Sequence, residues 1–131
     1  MVGSNHFSID KESDSFKRSF RKLYKSTAVG LKESLINQLD AVISGLAVEQ
    51  RPTSSRQEPC PKKITLPPLC EFRKLEFTIS SGAAGQIRLM YLINLDLRII
   101  KPLFVYSHKQ FAKRPSDSEI QDFMRAAFEE E

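Results

Sequence analysis

Phe16, Phe20, Leu23 and Tyr24 recur at i, i+4, i+7 and i+8, which draws one apolar stripe along a helix whose other face carries Lys17, Arg18, Arg21, Lys22 and Lys25. Asp14 or Ser15 offers the side-chain oxygen that caps its start. Ser26, Thr27 and Gly30 interrupt the pattern; Leu31, Leu35, Leu39, Val42 and Leu46 resume it through about Gln50, where Arg51 and Pro52 stop it. Two helices joined this closely pack as a hairpin. Ahead of them, His6 to Asp10 alternates Phe7 and Ile9 with polar neighbours, the pattern of a short strand.

Downstream the period changes from that of a helix to that of a strand. Leu75, Phe77 and Ile79 alternate with Lys74, Glu76 and Thr78, so one face of this run is buried and the other meets solvent or a ligand. Ser80 to Gly85 connects it to Gln86–Asn94, which is apolar on both faces except for Arg88 and therefore suits a central strand. An arginine inside such a strand needs a partner or a function; Glu71 and Glu76 are the carboxylates available across the sheet. Asn94 to Asp96 turns the chain into a third run, Leu97 to Tyr106, in which Pro102 cannot donate to the ladder and predicts a bulge or an edge-facing position. Ser116 and Glu119 form a capping box before Ile120, Phe123, Met124, Ala127 and Phe128, the stripe of a last helix. The order is β-α-α-β-β-β-α, an α+β fold with a helical hairpin packed on a small antiparallel sheet.

Between the hairpin and the strands, Pro52 to Pro68 contains five prolines and few apolar residues, and predicts an exposed loop or lid. The 131 residues make one domain the expectation. The longest apolar run, Leu89 to Ile93, is five residues, far below the ~20 of a membrane span, so a soluble chain with no membrane partner is expected. Met1 to Asp10 has no basic segment followed by an apolar one, which points to the cytoplasm. Cys60 and Cys70 are too few for a disulfide framework; without a CxxC pair, and with His6 and His108 far apart, a zinc site lacks ligands.

The net charge of +4 is unevenly spread. Residues 116–131 hold six acids against Arg125 alone, which leaves residues 1–115 with a surplus of nine positive charges, a better candidate for phosphate contact than the average indicates.

Four segments resemble the RelE/ParE superfamily of small bacterial toxins, including its HigB-type branch. Phe16, Phe20, Arg21, Lys22 and Leu23 are similar to the family's first helix, which often closes with Arg-Lys-Leu. Phe72-Arg73-Lys74-Leu75-Glu76-Phe77 resembles its basic strand, and Gly85-Gln86-Ile87-Arg88-Leu89-Met90-Tyr91 its G-x-x-R-x-x-Y strand. Leu103-Phe104-Val105-Tyr106-Ser107-His108-Lys109 is similar to the strand that ends in a tyrosine, a small residue and a base, with His108 where the family typically has lysine.

The resemblance implies the toxin of a type II toxin-antitoxin pair. Its active members cleave mRNA, often on the ribosome, by attack of a ribose 2′-hydroxyl on the adjacent phosphate, with no metal or other cofactor. That chemistry needs a proton acceptor, cations on the phosphate and an acid for the leaving 5′-oxygen. By position in the motifs, Arg88 becomes the phosphate clamp, since a guanidinium offers two parallel donors; Lys74 and His108 complete the catalytic set, histidine because it exchanges protons near neutral pH. Arg73, Tyr106, Lys109, Lys113 and Arg114 become RNA contacts. The implied partners are a cognate antitoxin that covers the basic groove, mRNA and the ribosome. Two other functions stay open on the same fold: inhibition of a protein target such as DNA gyrase, and binding of RNA or protein without cutting.

Overall fold

The structure is a computed structural model that describes residues 6–129; Glu130 and Glu131, the end of the expected acidic helix, lie outside the described residues. Among the described residues, five strands and three α-helices follow one another as β1 (Ser8–Ile9), α1 (Asp14–Ser26), α2 (Lys32–Leu46), β2 (Ser55–Gln57), β3 (Cys70–Thr78), β4 (Gln86–Asn94), β5 (Ile99–Ser107) and α3 (Asp117–Glu129). The fold is α+β. None of its helices, among the described residues, is long and apolar enough to cross a membrane.

The strands form one sheet in the order β1-β5-β4-β3-β2. It is mixed rather than antiparallel throughout, because the two-residue β1 runs parallel to β5, pairing Ser8 with Ile99 and Ile9 with Ile100. The remainder of that edge is closed by α1. Ser19 Oγ accepts from Val105 N at 3.0 Å and Ser15 Oγ donates to the Leu103 carbonyl at 2.7 Å, so two buried serines of the helix take the place of a neighbouring strand. The cap of α1 is Ser13, whose side chain accepts from Phe16 N, rather than Asp14 or Ser15.

A second difference matters more for function. The proline-rich segment is not a loop throughout: the five residues between Thr53 and Pro59 hold β2, antiparallel to β3 with Ser55 opposite Leu75, Arg56 opposite Lys74 and Gln57 opposite Arg73. Glu58 N donates to Phe72 O at 2.8 Å and extends this ladder by one residue before Pro59 ends it. The bulge expected at Pro102 is present, since Met90 pairs with Phe104 and Tyr91 with Pro102, leaving Leu103 as the extra residue.

Both faces of the sheet are buried. On one, Leu75, Ile87, Leu89, Tyr91, Ile93 and Val105 pack against α1 and α2 through Phe16, Leu23, Leu35 and Leu39. On the other, Phe72, Met90, Leu92 and Leu103 pack against Ile120, Phe123, Met124 and Ala127 of α3. Lys101, buried on β5, donates from Nζ to the Ala127 carbonyl at 3.0 Å and so ties the end of α3 to the sheet. Between β3 and β4, Gly82 sits at φ 86°, and a Cβ on Gly85 would collide with the Ser80 carbonyl, so this connection depends on both glycines.

β2 is fastened by polar side chains on the hairpin face. Arg73 Nε donates to Ser55 Oγ at 2.8 Å, and Tyr91 Oη donates to the Gln50 carbonyl at 2.8 Å. With the tyrosine proton committed to Gln50, Ser55 donates to Tyr91 Oη across 2.6 Å. Glu71 joins the same network, accepting from Arg51 Nε at 3.0 Å and from Arg73 at 3.3 Å.

The hydrogen bonds from Arg51, and after them its charge and Arg73, hold the Glu71 carboxyl below its ordinary 4.5. A carboxyl lowered in the folded state contributes stability above its unfolded pKa and loses it as pH falls through the folded one. Urea unfolding at about pH 5.5 and about pH 3 is therefore expected to show a loss of stability on acidification that Arg51→Gln reduces. An equal acid loss in both proteins would remove Glu71 from that account.

Candidate functional site

Alternation along the strands decides which predicted residues meet. Directly opposed residues of an antiparallel pair share a face, so Arg88 on β4 lies beside Glu76 of β3 and Tyr106 of β5, all on the α3 face. Lys74 lies on the same face opposite Met90 and Arg56, a diagonal neighbour of Arg88, a relation that separates Cα atoms by about 7–8 Å. Arg114, in the segment between β5 and α3, reaches the same place through the chain of ion pairs described next.

Glu58 bridges Lys74 and Arg114 and was not among the residues expected there. Its side chain is 8% exposed; one carboxylate oxygen lies 3.6 Å from Lys74 Nζ, and the other accepts from Arg114 at 2.8 Å. Arg114 also donates to the Pro59 carbonyl at 2.9 Å and to Asp117 at 2.9 Å. Burial works against its charge, but the hydrogen bonds to Glu58 and Asp117 outweigh that and leave its pKa above the ordinary value. Arg88 is held by Glu76 at 2.9 Å from Nε and by the Ala112 carbonyl at 3.3 Å. At about 4 Å an ion pair is worth roughly 1 kcal/mol in bulk water and roughly 4 kcal/mol at the effective dielectric of a protein surface. Glu58 and Glu76 thus already occupy these cations.

One donor in the group is unused. Tyr106 is 1% exposed, and its hydroxyl has no hydrogen-bond partner among the described residues although Arg88, Glu58, Glu76 and Arg114 all act on it electrostatically. Burial, with Arg88 opposing it, pushes this hydroxyl up to about 12, so at neutral pH it is a protonated donor. Leaving such a group unpaired costs about 1–3 kcal/mol. Beside β2 and β3 the surface opens into a cleft of about 530 Å³, walled by Arg56, Glu58, Lys74 and Glu76 among others.

His108 follows β5 directly. Its amide donates to the Gln86 carbonyl at 2.9 Å, which continues the β4–β5 ladder past the Arg88–Tyr106 pair, and its Nδ1 is buried without a partner among the described residues. The other predicted contacts lie elsewhere. Arg73 is on the hairpin face, bound to Ser55 and Glu71, because the residue next to Lys74 on a strand must point the opposite way. Lys109 is exposed in a recess with Ser26, Thr27 and Gln110 near the end of α1, and Lys113 is exposed with no ion pair among the described residues. Of eight predicted residues, Lys74, Arg88, Tyr106 and Arg114 converge on the α3 face, His108 borders them, and Arg73, Lys109 and Lys113 stand apart.

No protein-family model matches the chain, and no curated protein matches it by sequence. Among solved structures, a mutant of the E. coli toxin RelE in its free state is similar to this chain, with 13% sequence identity, a TM-score of 0.39, and coverage of 82% of this chain and 88% of that one.

Proposed function

We propose that this protein is the toxin of a type II toxin-antitoxin pair and a metal-independent endoribonuclease acting on mRNA. The observation that carries this reading is the convergence of Lys74, Arg88, Tyr106 and Arg114, distant in sequence, on one face of the sheet beside an open cleft, with His108 at its border. In the reaction the 2′-oxygen forms a bond to phosphorus, the bond to the 5′-oxygen breaks, one proton leaves the 2′-hydroxyl and one reaches the 5′-oxygen. Arg88 and Lys74 hold the phosphate oxygens and their developing charge, Tyr106 supports Arg88 from the neighbouring strand, and His108 exchanges the proton. An acidic antitoxin segment neutralises the same cations by charge complementarity.

Purified protein is expected to cut mRNA, and Arg88→Ala to lower the rate at least about tenfold, or ~1.4 kcal/mol of transition-state stabilisation, with an unchanged circular dichroism spectrum. Cleavage equal to wild type would remove Arg88 from the site.

One observation favours a second reading. Lys74, Arg88 and Arg114 are each paired to a carboxylate of this chain, which suits a relative that binds RNA or a protein such as gyrase without cutting. Inhibition of gyrase supercoiling with mRNA left intact would select it.

A further inference from the structure

We propose that Glu58 is a built-in occupant of the anion site: its carboxylate stands where a phosphate would bind, and the cleft takes an anion only as Glu58 withdraws. The inference rests on the reading of this cleft as a phosphate site and adds how access to it is controlled.

The geometry is that of a bound anion. A single buried carboxylate presents one oxygen to Lys74 and the other to Arg114, on cations that come from β3 and from the segment before α3. Two oxygens of a phosphodiester carry the same charge over a similar span and could engage the same two cations. The Tyr106 hydroxyl on the same face, which Glu58 influences electrostatically without a hydrogen bond between them, has no partner among the described residues. A phosphate has more oxygens to offer than a carboxylate, and so more acceptors for the cations of this face.

The chain also places Glu58 in a way that separates its backbone from its side chain. The amide is fixed to Phe72 O, and Pro59 follows with its carbonyl on Arg114, so the main chain stays on the sheet. Withdrawal then requires only a change of the Glu58 side-chain rotamer at the wall of the cleft, away from Lys74 and Arg114. Because the occupant is part of the chain, its local concentration is fixed and high, and it discriminates against weak or singly placed anions. Only a ligand that supplies several phosphates at once, or an acidic protein segment, competes well.

The test compares the full-length protein with Glu58→Gln, which keeps shape and removes charge, and Glu58→Asp, which keeps charge and draws it back by one methylene. The probes are a fluorescein-labelled oligouridylate, followed by anisotropy, and inorganic phosphate, followed through the arginine side-chain signals in NMR spectra. Glu58→Gln is expected to bind both at least about tenfold more tightly at low salt, with the salt dependence for RNA steeper by roughly 0.7 in log–log slope for each phosphate newly neutralised. Glu58→Asp should tighten both by a smaller factor, and it carries the test if the glutamine variant fails to fold. Affinity for phosphate equal to or below wild type in the folded variants overturns the proposal. Tighter phosphate binding with no RNA binding by any of the three proteins upholds the built-in occupant and overturns the RNA reading instead.

Discussion

Tyr91→Ala is expected to destabilise the fold by about 3–5 kcal/mol, a large share of the ~5–15 kcal/mol that holds a domain together. Tyr91 is fully buried in the core between the sheet and the helical hairpin, so truncation removes a ring from a close-packed layer. It also removes the hydroxyl that joins the segment after α2, through the Gln50 carbonyl, to Ser55 of β2. Tyr91→Phe separates the two effects: it keeps the ring, removes the hydroxyl's bonds to the Gln50 carbonyl and to Ser55, and should cost about 1–2 kcal/mol. Urea unfolding of the three proteins measures both steps. If alanine costs no more than phenylalanine, the ring is not the anchor that its burial indicates. Loss of the hydroxyl alone also loosens β2, and with it the strand that carries Glu58 to the cleft.

The sequence pattern was most legible where burial was two-sided or strictly alternating. Gln86–Asn94 is a strand over the residues that the pattern marked, because apolar side chains on both faces leave a central strand as the economical solution. Arg88 inside it had two available carboxylates, Glu71 and Glu76; register chose Glu76, and Glu71 went to the other face. The same alternation separates Arg73 from Lys74, a distinction already present in the burial of Leu75 and Phe77. β2 and Glu58 were hidden for a different reason. A strand of three residues between prolines has no period to detect, and what stabilises it is its pairing with β3 and the side chains of Arg73 and Tyr91, all remote in sequence. The candidate site was therefore visible as a set of cations, and the carboxylate that bridges two of them was not.

That carboxylate makes Arg114→Ala the second large effect. Removal of the guanidinium leaves Glu58, 8% exposed, with Lys74 at 3.6 Å as its remaining ion-pair partner among the described residues, and takes Arg114's bonds from the Pro59 carbonyl and Asp117 as well. Breaking a fully buried pair costs about 3–5 kcal/mol because one charge is left uncompensated. Arg114 is 21% exposed, so water can reach part of the gap, and about 2–3 kcal/mol is the expected loss. The cause is testable by removing the stranded charge: Glu58→Gln in the Arg114→Ala background should return at least about 1 kcal/mol, although each substitution alone destabilises. A cycle in which the two changes add within about 0.5 kcal/mol would mean that the pair is geometric coincidence. A strong coupling would mean that the cations of this face are arranged around an anion that the folded chain supplies for itself. Their availability to any other anion is then set by how tightly Arg114 holds Glu58.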